Sequence, residues 1–188
     1  MIGTLEMETR LVFRRLLPDE FQDAYAIVCQ ASDWLESKGY RHWLVPAQAY
    51  RQRHAAGENY GLWMRDVLVA VVSLERSGPR AWQKVLPDTK FVWLGTLVTA
   101  IEFKGRDLGM VTLNKAEAFL RQQGVNDVYL DCYYDTGFLP RYYESAGYEW
   151  VTRKELVFAD GSVHDSVLMY KELRANGSEH GGKECDDV

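Results

Sequence analysis

"EFKGRDLGMVTLNKAE" (residues 102–117) is the stretch on which the reading of this chain turns. Lys104, Gly105, Arg106 and Gly109 stand at the entrance to a run with helical periodicity. A helix N-terminus leaves about four N–H groups unbonded and carries partial positive charge, which suits a phosphate. Gly105 and Gly109 let the backbone come close to a ligand, while Lys104 and Arg106 add cations. Asp107 points the other way, because an acid stands where an anion would dock. It either turns outward or caps the helix. The loop alone leaves both readings open.

Its surroundings are more informative. "TKFVWLGTLVT" (89–99) is a long apolar strand interrupted by Gly95, where a bulge is expected. The loop follows that strand directly, and strand ends are where α/β folds bind ligands. Downstream, Leu108, Val111, Ala116, Phe119 and Leu120 predict a helix over 107–123, stopped at Gly124. Upstream, "YGLWMRD" (60–66) and "VLVAVVSLE" (67–75) read as a hairpin turning at Arg65 and Asp66. That hairpin disfavours a repeated βαβ dinucleotide array, and no Gly-Lys-Ser/Thr follows to make a Walker loop.

The remaining chain fits one α/β domain. "LVFRRL" (11–16) predicts a strand, 18–39 a helix with Phe21, Tyr25, Val28 and Leu35 on one face, and 46–57 a shorter helix. A strand follows at 127–134, a helix within 136–147, and an antiparallel pair at 148–158 and 164–173. Residues 174–188 are polar and Gly-rich and are expected to be a disordered tail.

Composition narrows the function. The 188 residues are 47% hydrophobic and 13% aromatic, enough for one full core. No apolar run approaches the roughly 20 residues of a membrane span. The start, MIGTLEMETR, lacks the features of a signal peptide, so a cytoplasmic protein is expected. Three unclustered cysteines (Cys29, Cys132, Cys185) and four unpaired histidines argue against a disulfide framework and a metal site. A net charge of −5 with scattered Lys and Arg argues against nucleic acid as partner.

"LPRYYESAGY" (139–148) places Tyr142 and Tyr143 in a short helix before Gly147. Each is read either as packing or as a phenol facing a ligand, able to protonate a leaving thiolate. With the 97–113 segment "LVTAIEFKGRDLGMVTL", this stretch resembles the GNAT acetyltransferase superfamily, over residues 11–173. That family's phosphate motif, Gln/Arg-x-x-Gly-x-Gly/Ala, falls here on Lys104 to Gly109, with Lys for Gln/Arg and Asp107 for the first Gly. Its later signature falls on Thr136, Tyr143, Glu144, Gly147 and Tyr148, with Thr136 for an Asn and Tyr148 for a Phe.

The resemblance implies a GNAT-type single domain over 1–173, with a mixed, mostly antiparallel central sheet flanked by helices and splayed into a V-shaped cleft. It implies acetyl-CoA as acyl donor and a small-molecule or peptide amine as acceptor. The pyrophosphate would lie on the N–H groups of Lys104, Gly105, Arg106, Asp107, Leu108, Gly109 and Met110, with Thr136 a further contact. The backbone of Leu97, Val98 and Thr99 would pair with the pantetheine arm, and the bulge near Gly95 would free an N–H to polarise the thioester. Tyr143 would protonate the thiolate. Trp34, Tyr40, His42 and Trp43 are expected on the acceptor side. Glu75, Glu102 and Asp131 are carboxylates near strand ends with no role assigned. A homodimer and a non-catalytic acyl-CoA binding module both remain open.

Overall fold

The computed structural model describes residues 11–40, 44–157, 161 and 163–173. His42, Trp43 and the tail at 174–188 lie outside them. Seven strands form one sheet in the order β1-β2-β3-β4-β5-β7-β6. They are β1 (Leu11–Arg15), β2 (Asn59–Met64), β3 (Val67–Glu75), β4 (Val92–Thr99), β5 (Asp127–Tyr133), β6 (Glu149–Val157) and β7 (Val163–Glu172). Every pairing is antiparallel except β4 with β5. The sheet is open and mixed, as expected.

Helix α1 (Phe21–Ser37) buries Phe21, Ala24, Ile27, Val28 and Ala31, the three- and four-residue spacing of one helical face. Pro18–Glu20 forms a short 3-10 turn before it, because the Pro18 ring suits a helix entrance and not its interior. Helix α2 (Ala47–Ala55) contributes Tyr50 to the same layer. These helices pack on one sheet face with Trp63, Val71 and Val98. Helices α3 (Leu108–Gln122) and α4 (Leu139–Ser145) cover the other face. There Leu113, Ala116 and Leu120 of α3 and Tyr143 of α4 meet Val72, Leu94, Val128, Leu130 and Met169.

β3 is an interior strand, and its Val69–Val72 segment is covered on both sides, which explains the unbroken apolar run. β5 keeps strict alternation. One buried ion pair ties the α3/α4 layer to the sheet. Lys171 of β7 donates to Glu117 of α3 at 2.6 Å and to the Ala146 carbonyl at the end of α4 at 2.6 Å. The pairing satisfies an ammonium and a C-terminal helix carbonyl together, so α4 is held against α3 and β7.

Leu113 is wholly buried between α3 and the sheet. Leu113→Ala should therefore cost about 2–5 kcal/mol in urea unfolding. A loss below about 1 kcal/mol would mean that α3 packs loosely on β3 and β4.

Candidate functional site

The parallel pairing of β4 and β5 is short. It joins Val92 to Val128 and Trp93 to Tyr129 and goes no further. Beyond Trp93, β4 keeps β3 on one side, with Val98 opposite Val71 and Thr99 opposite Ala70. Its other edge is left to a wedge-shaped cleft. A bulge marks the separation, since Ser73 pairs with Gly95 while Val71 pairs with Val98, giving β4 one extra residue. The sequence reading centred this bulge on Gly95. The left-handed backbone belongs instead to Thr96, at φ +50°. Gly95 instead leaves room for Glu75: a Cβ there would lie 2.8 Å from Glu75 Oε1, which would have to move.

After β4 the chain makes a 3-10 turn at Ile101–Phe103 and then the loop into α3. The Lys104 N–H is already bonded to the Ile101 carbonyl at 3.2 Å, so of the seven expected N–H donors it is not free. Gly105 and Asp107 both take left-handed backbone, at φ +75° and +55°. Asp107 occupies the N-cap position without capping through its side chain. The first backward bond of the helix runs from Val111 N–H to the Asp107 carbonyl, which leaves the N–H groups of Leu108, Gly109 and Met110 at the helix end. Arg106 is exposed and lies over the Phe103 ring. Gly109 faces Tyr142 and Thr99, because a Cβ there would come within 2.8 Å of the Tyr142 hydroxyl and 3.6 Å of Thr99 Oγ1.

The two tyrosines of α4 have different surroundings. Tyr142 is partly buried and its hydroxyl lies at the first turn of α3. Burial, with Asp107 nearby, raises its phenol to about 12. Tyr143 is in the core, edge-on to Tyr142 and to Tyr148 at 5.3 and 5.8 Å. Burial, then Cys132, Tyr142 and Asp131, push its phenol still higher. Both are firmly neutral at physiological pH. Thr136 acts locally: its hydroxyl donates to the Tyr133 carbonyl at 2.9 Å and accepts from Leu139 N–H at 3.4 Å. It organises the turn into α4, as Ser and Thr commonly do.

Of the expected acceptor aromatics, Trp34 and Tyr40 are described, and they separate. Lys104 Nζ lies 2.7 Å from the centroid of the Trp34 ring, so Trp34 meets the loop that opens α3. Burial and then Lys38 depress the Lys104 ammonium below its ordinary value. Tyr40 instead meets Phe138, just before α4, at 6.4 Å in a T-shaped contact. Trp34 of α1 and Tyr40, just past its end, thus meet the segments that lead into α3 and into α4.

A half-buried charged cluster lies under the bulge. Arg53 of α2 pairs with Glu75 Oε2 at 3.0 Å and donates from Nη1 to Thr96 Oγ1 at 3.2 Å. Trp82 Nε1 donates to Asp131 at 2.8 Å. Burial outweighs Arg53 and lifts the Glu75 carboxyl to about 7. It raises Asp131 too, against the hydrogen bond from Trp82. Glu75 Oε1 is buried without a hydrogen-bond partner. Sequence alone placed both acids near strand ends, and the missing signal was Arg53, 22 positions away from Glu75 in another element. Among the described residues, no group of three His, Cys, Asp or Glu could hold a metal ion, and no helix is long and apolar enough to cross a membrane.

No family model matches this chain. It is similar to the uncharacterized N-acetyltransferase YesJ of Bacillus subtilis (strain 168), 24% identical over 145 residues, 71% of this chain and 81% of that protein. Among solved structures it is similar to a GNAT-family acetyltransferase of Listeria monocytogenes 4b F2365. The TM-score is 0.73 at 18% identity, over 86% of this chain and 94% of that one. It is also similar to yncA of Salmonella typhimurium, solved with its cofactor acetyl-CoA. Here the TM-score is 0.60 at 13% identity, over 94% and 99% of the two chains.

The Glu75 carboxyl sets a pH dependence. Its folded value, about 7, lies above the ordinary 4.5, so the stability it contributes is full below pH 4.5 and lost as pH rises through 7. Glu75→Gln cannot ionise. Its stability relative to the parent should improve between pH 4 and pH 8 by an amount approaching roughly 3 kcal/mol in urea unfolding. A parent–variant difference that stays constant over that range would place the Glu75 carboxyl in water.

Proposed function

We propose that this chain, which has the fold of the GNAT acetyltransferases, transfers an acetyl group from acetyl-CoA to a primary amine of a small molecule or peptide. The observation that carries this reading is the unpaired edge of β4 beyond Trp93, lying beside the open N-terminal end of α3. An extended pantetheine arm, with amides of its own, suits such an edge: Leu97, Val98 and Thr99 offer it backbone partners in the manner of an added strand. The pyrophosphate suits the end of α3. Gly105, Arg106, Asp107, Leu108, Gly109 and Met110 surround that position, and Gly109 leaves room that a side chain would fill. Thr136 enters this reading as support for the α4 turn and as a further contact for the donor.

The chemistry asked of the residues is modest. A thioester supplies an activated acyl carbon and a good leaving group. A neutral amine attacks that carbon, and a backbone N–H at the β4 bulge stabilises the charge that develops on oxygen. As the carbon–sulfur bond breaks, the Tyr143 phenol gives its proton to the thiolate, the nitrogen loses its extra proton to solvent, and solvent returns a proton to Tyr143. Burial keeps this phenol protonated, so its proton is present when the sulfur leaves, while it also makes the phenol a weaker acid. Tyr40 and Trp34, at the mouth, border the route by which an acceptor amine enters.

Tyr143→Phe removes the acid and keeps the ring. Turnover, followed as thiol release from acetyl-CoA with a panel of primary amines, should fall by about 10²–10⁴-fold, with CoA affinity little changed. Tyr142→Phe should be milder. A severe loss in Tyr142→Phe alone would transfer the role to the hydroxyl beside Gly109. CoA binding in the parent without thiol release from any amine would identify a non-catalytic acyl-CoA binding module.

Asp107 supplies a separate check. It holds a left-handed backbone that glycine adopts without strain, and its charge opposes a phosphate. Asp107→Gly should tighten CoA binding in calorimetry by about two- to tenfold, more at low salt than at high salt. Weaker binding would show that the carboxylate organises the loop.

A further inference from the structure

We propose that Arg53 is a positioning residue for the acyl-transfer step: it reaches from α2 through the sheet face to hold Thr96 in the strained conformation that creates the β4 bulge. The proposal rests on the acyltransfer reading above, and on four observations independent of it. Thr96 is β-branched, yet its φ is +50°, a region in which a branched side chain clashes with its own backbone. Such a residue is strained and persists only where its surroundings over-determine it. Its side chain is buried, and the Arg53 Nη1 hydrogen bond at 3.2 Å is what engages its hydroxyl. The same guanidinium is fixed through Nε to Glu75 at 3.0 Å, so one planar fork joins a neighbouring strand to the bulge. Gly95, the residue before Thr96, lacks the Cβ that would strike Glu75.

Together these make a three-part lock: Glu75 at the end of β3 fixes Arg53, Arg53 fixes Thr96, and Thr96 fixes the extra residue of β4. The bulge displaces β4 just after its last pairing with β5, so the lock sits where the cleft begins. The groups facing Glu75 are Arg53 from α2, Glu58 from the loop after α2, and Asp131 from β5. Arg53 is the cation among them, and a lysine could not span both Glu75 and Thr96, because one ammonium lacks the spaced donors of a guanidinium. No part of the lock needs to touch the substrate. Its effect is on where the bulge N–H points, and misplacement by about 1 Å can cost up to 10²-fold in rate.

Two substitutions at one position separate this lock from ordinary packing. Thr96→Val keeps the branched shape and strain but cannot accept from Arg53. Thr96→Gly loses the same hydrogen bond but takes the left-handed backbone freely. Thr96→Val should lower kcat for acetyl transfer by about 10-fold or more, with the KM for acetyl-CoA within about threefold of the parent. Thr96→Gly should lose at least about threefold less kcat than Thr96→Val, because its backbone takes the left-handed conformation freely. Arg53→Met should resemble Thr96→Val, and the double variant Arg53→Met/Thr96→Gly should recover to the level of Thr96→Gly.

Equal behaviour of Thr96→Val and Thr96→Gly would overturn the proposal, as would a double variant no better than Arg53→Met. Hydrogen exchange of backbone amides 94–99 in the full chain reads the same lock without catalysis. Exchange should be faster in Thr96→Val and Arg53→Met but not in the double variant. If the parent transfers no acetyl group, the acyltransfer reading fails while this pattern still supports the lock. Unchanged exchange in all variants would overturn the lock whatever the activity.

Discussion

Strands β4 and β5 stay together for two residue pairs and then part, and the rest of the site depends on that divergence. A parallel pair buried between helices would ordinarily continue its hydrogen bonding, because an unpaired backbone group away from water is costly. Here the extra residue at the Thr96 bulge shifts β4, so its later N–H and C=O groups face a cleft. Helix α3 begins beside the end of the same strand, where Gly109 faces Thr99, and its first N–H groups have no partner within the helix. One irregularity in one strand therefore exposes two sets of backbone donors to a common space. Side chains contribute mainly by staying out of the way, as at Gly109.

The arrangement carries a local energetic cost. A left-handed threonine, a buried carboxyl with an oxygen lacking a partner, and a second buried acid at Asp131 are each unfavourable. They are tolerated because the two layers around them are well filled. Leu113, Val128, Leu130 and Met169 on one side, and Ala24, Val28 and Val71 on the other, are almost wholly buried. Each large side chain among them contributes about 1.5–3 kcal/mol on burial, enough to outweigh strain held in one strand. The Glu117–Lys171 pair adds a fixed point that keeps α4, and with it Tyr142 and Tyr143, in register with α3.

Much of this fold was legible in the sequence, since period-two and period-3.6 patterns survive wherever one face is buried. The hairpin turn at Arg65 and Asp66, the strand at 67–75 and the helix after the phosphate-loop stretch are found within a residue or two of expectation. The bulge was legible only approximately. Glycine is the usual sign of unusual backbone, yet Gly95 answers a steric demand from Glu75 while Thr96 carries the positive φ. Thr136 and Trp34 were read by position and density, which do not say what a hydroxyl or a ring will meet. The hydroxyl turns to its own turn, and the ring meets Lys104. The Arg53–Glu75–Thr96 cluster was not legible at all, because it is assembled from three elements and has no local spacing. His42 and Trp43 lie outside the described residues.

The central claim is that the open edge of β4 and the start of α3 together receive the donor. Amide hydrogen exchange of the full chain with and without CoA addresses both halves at once. The account predicts that the amides of Leu97, Val98 and Thr99 and those of residues 105–110 slow on adding CoA, while amides of β6 and β7 do not change. Slowing confined to another surface, or no slowing at millimolar CoA, would contradict it.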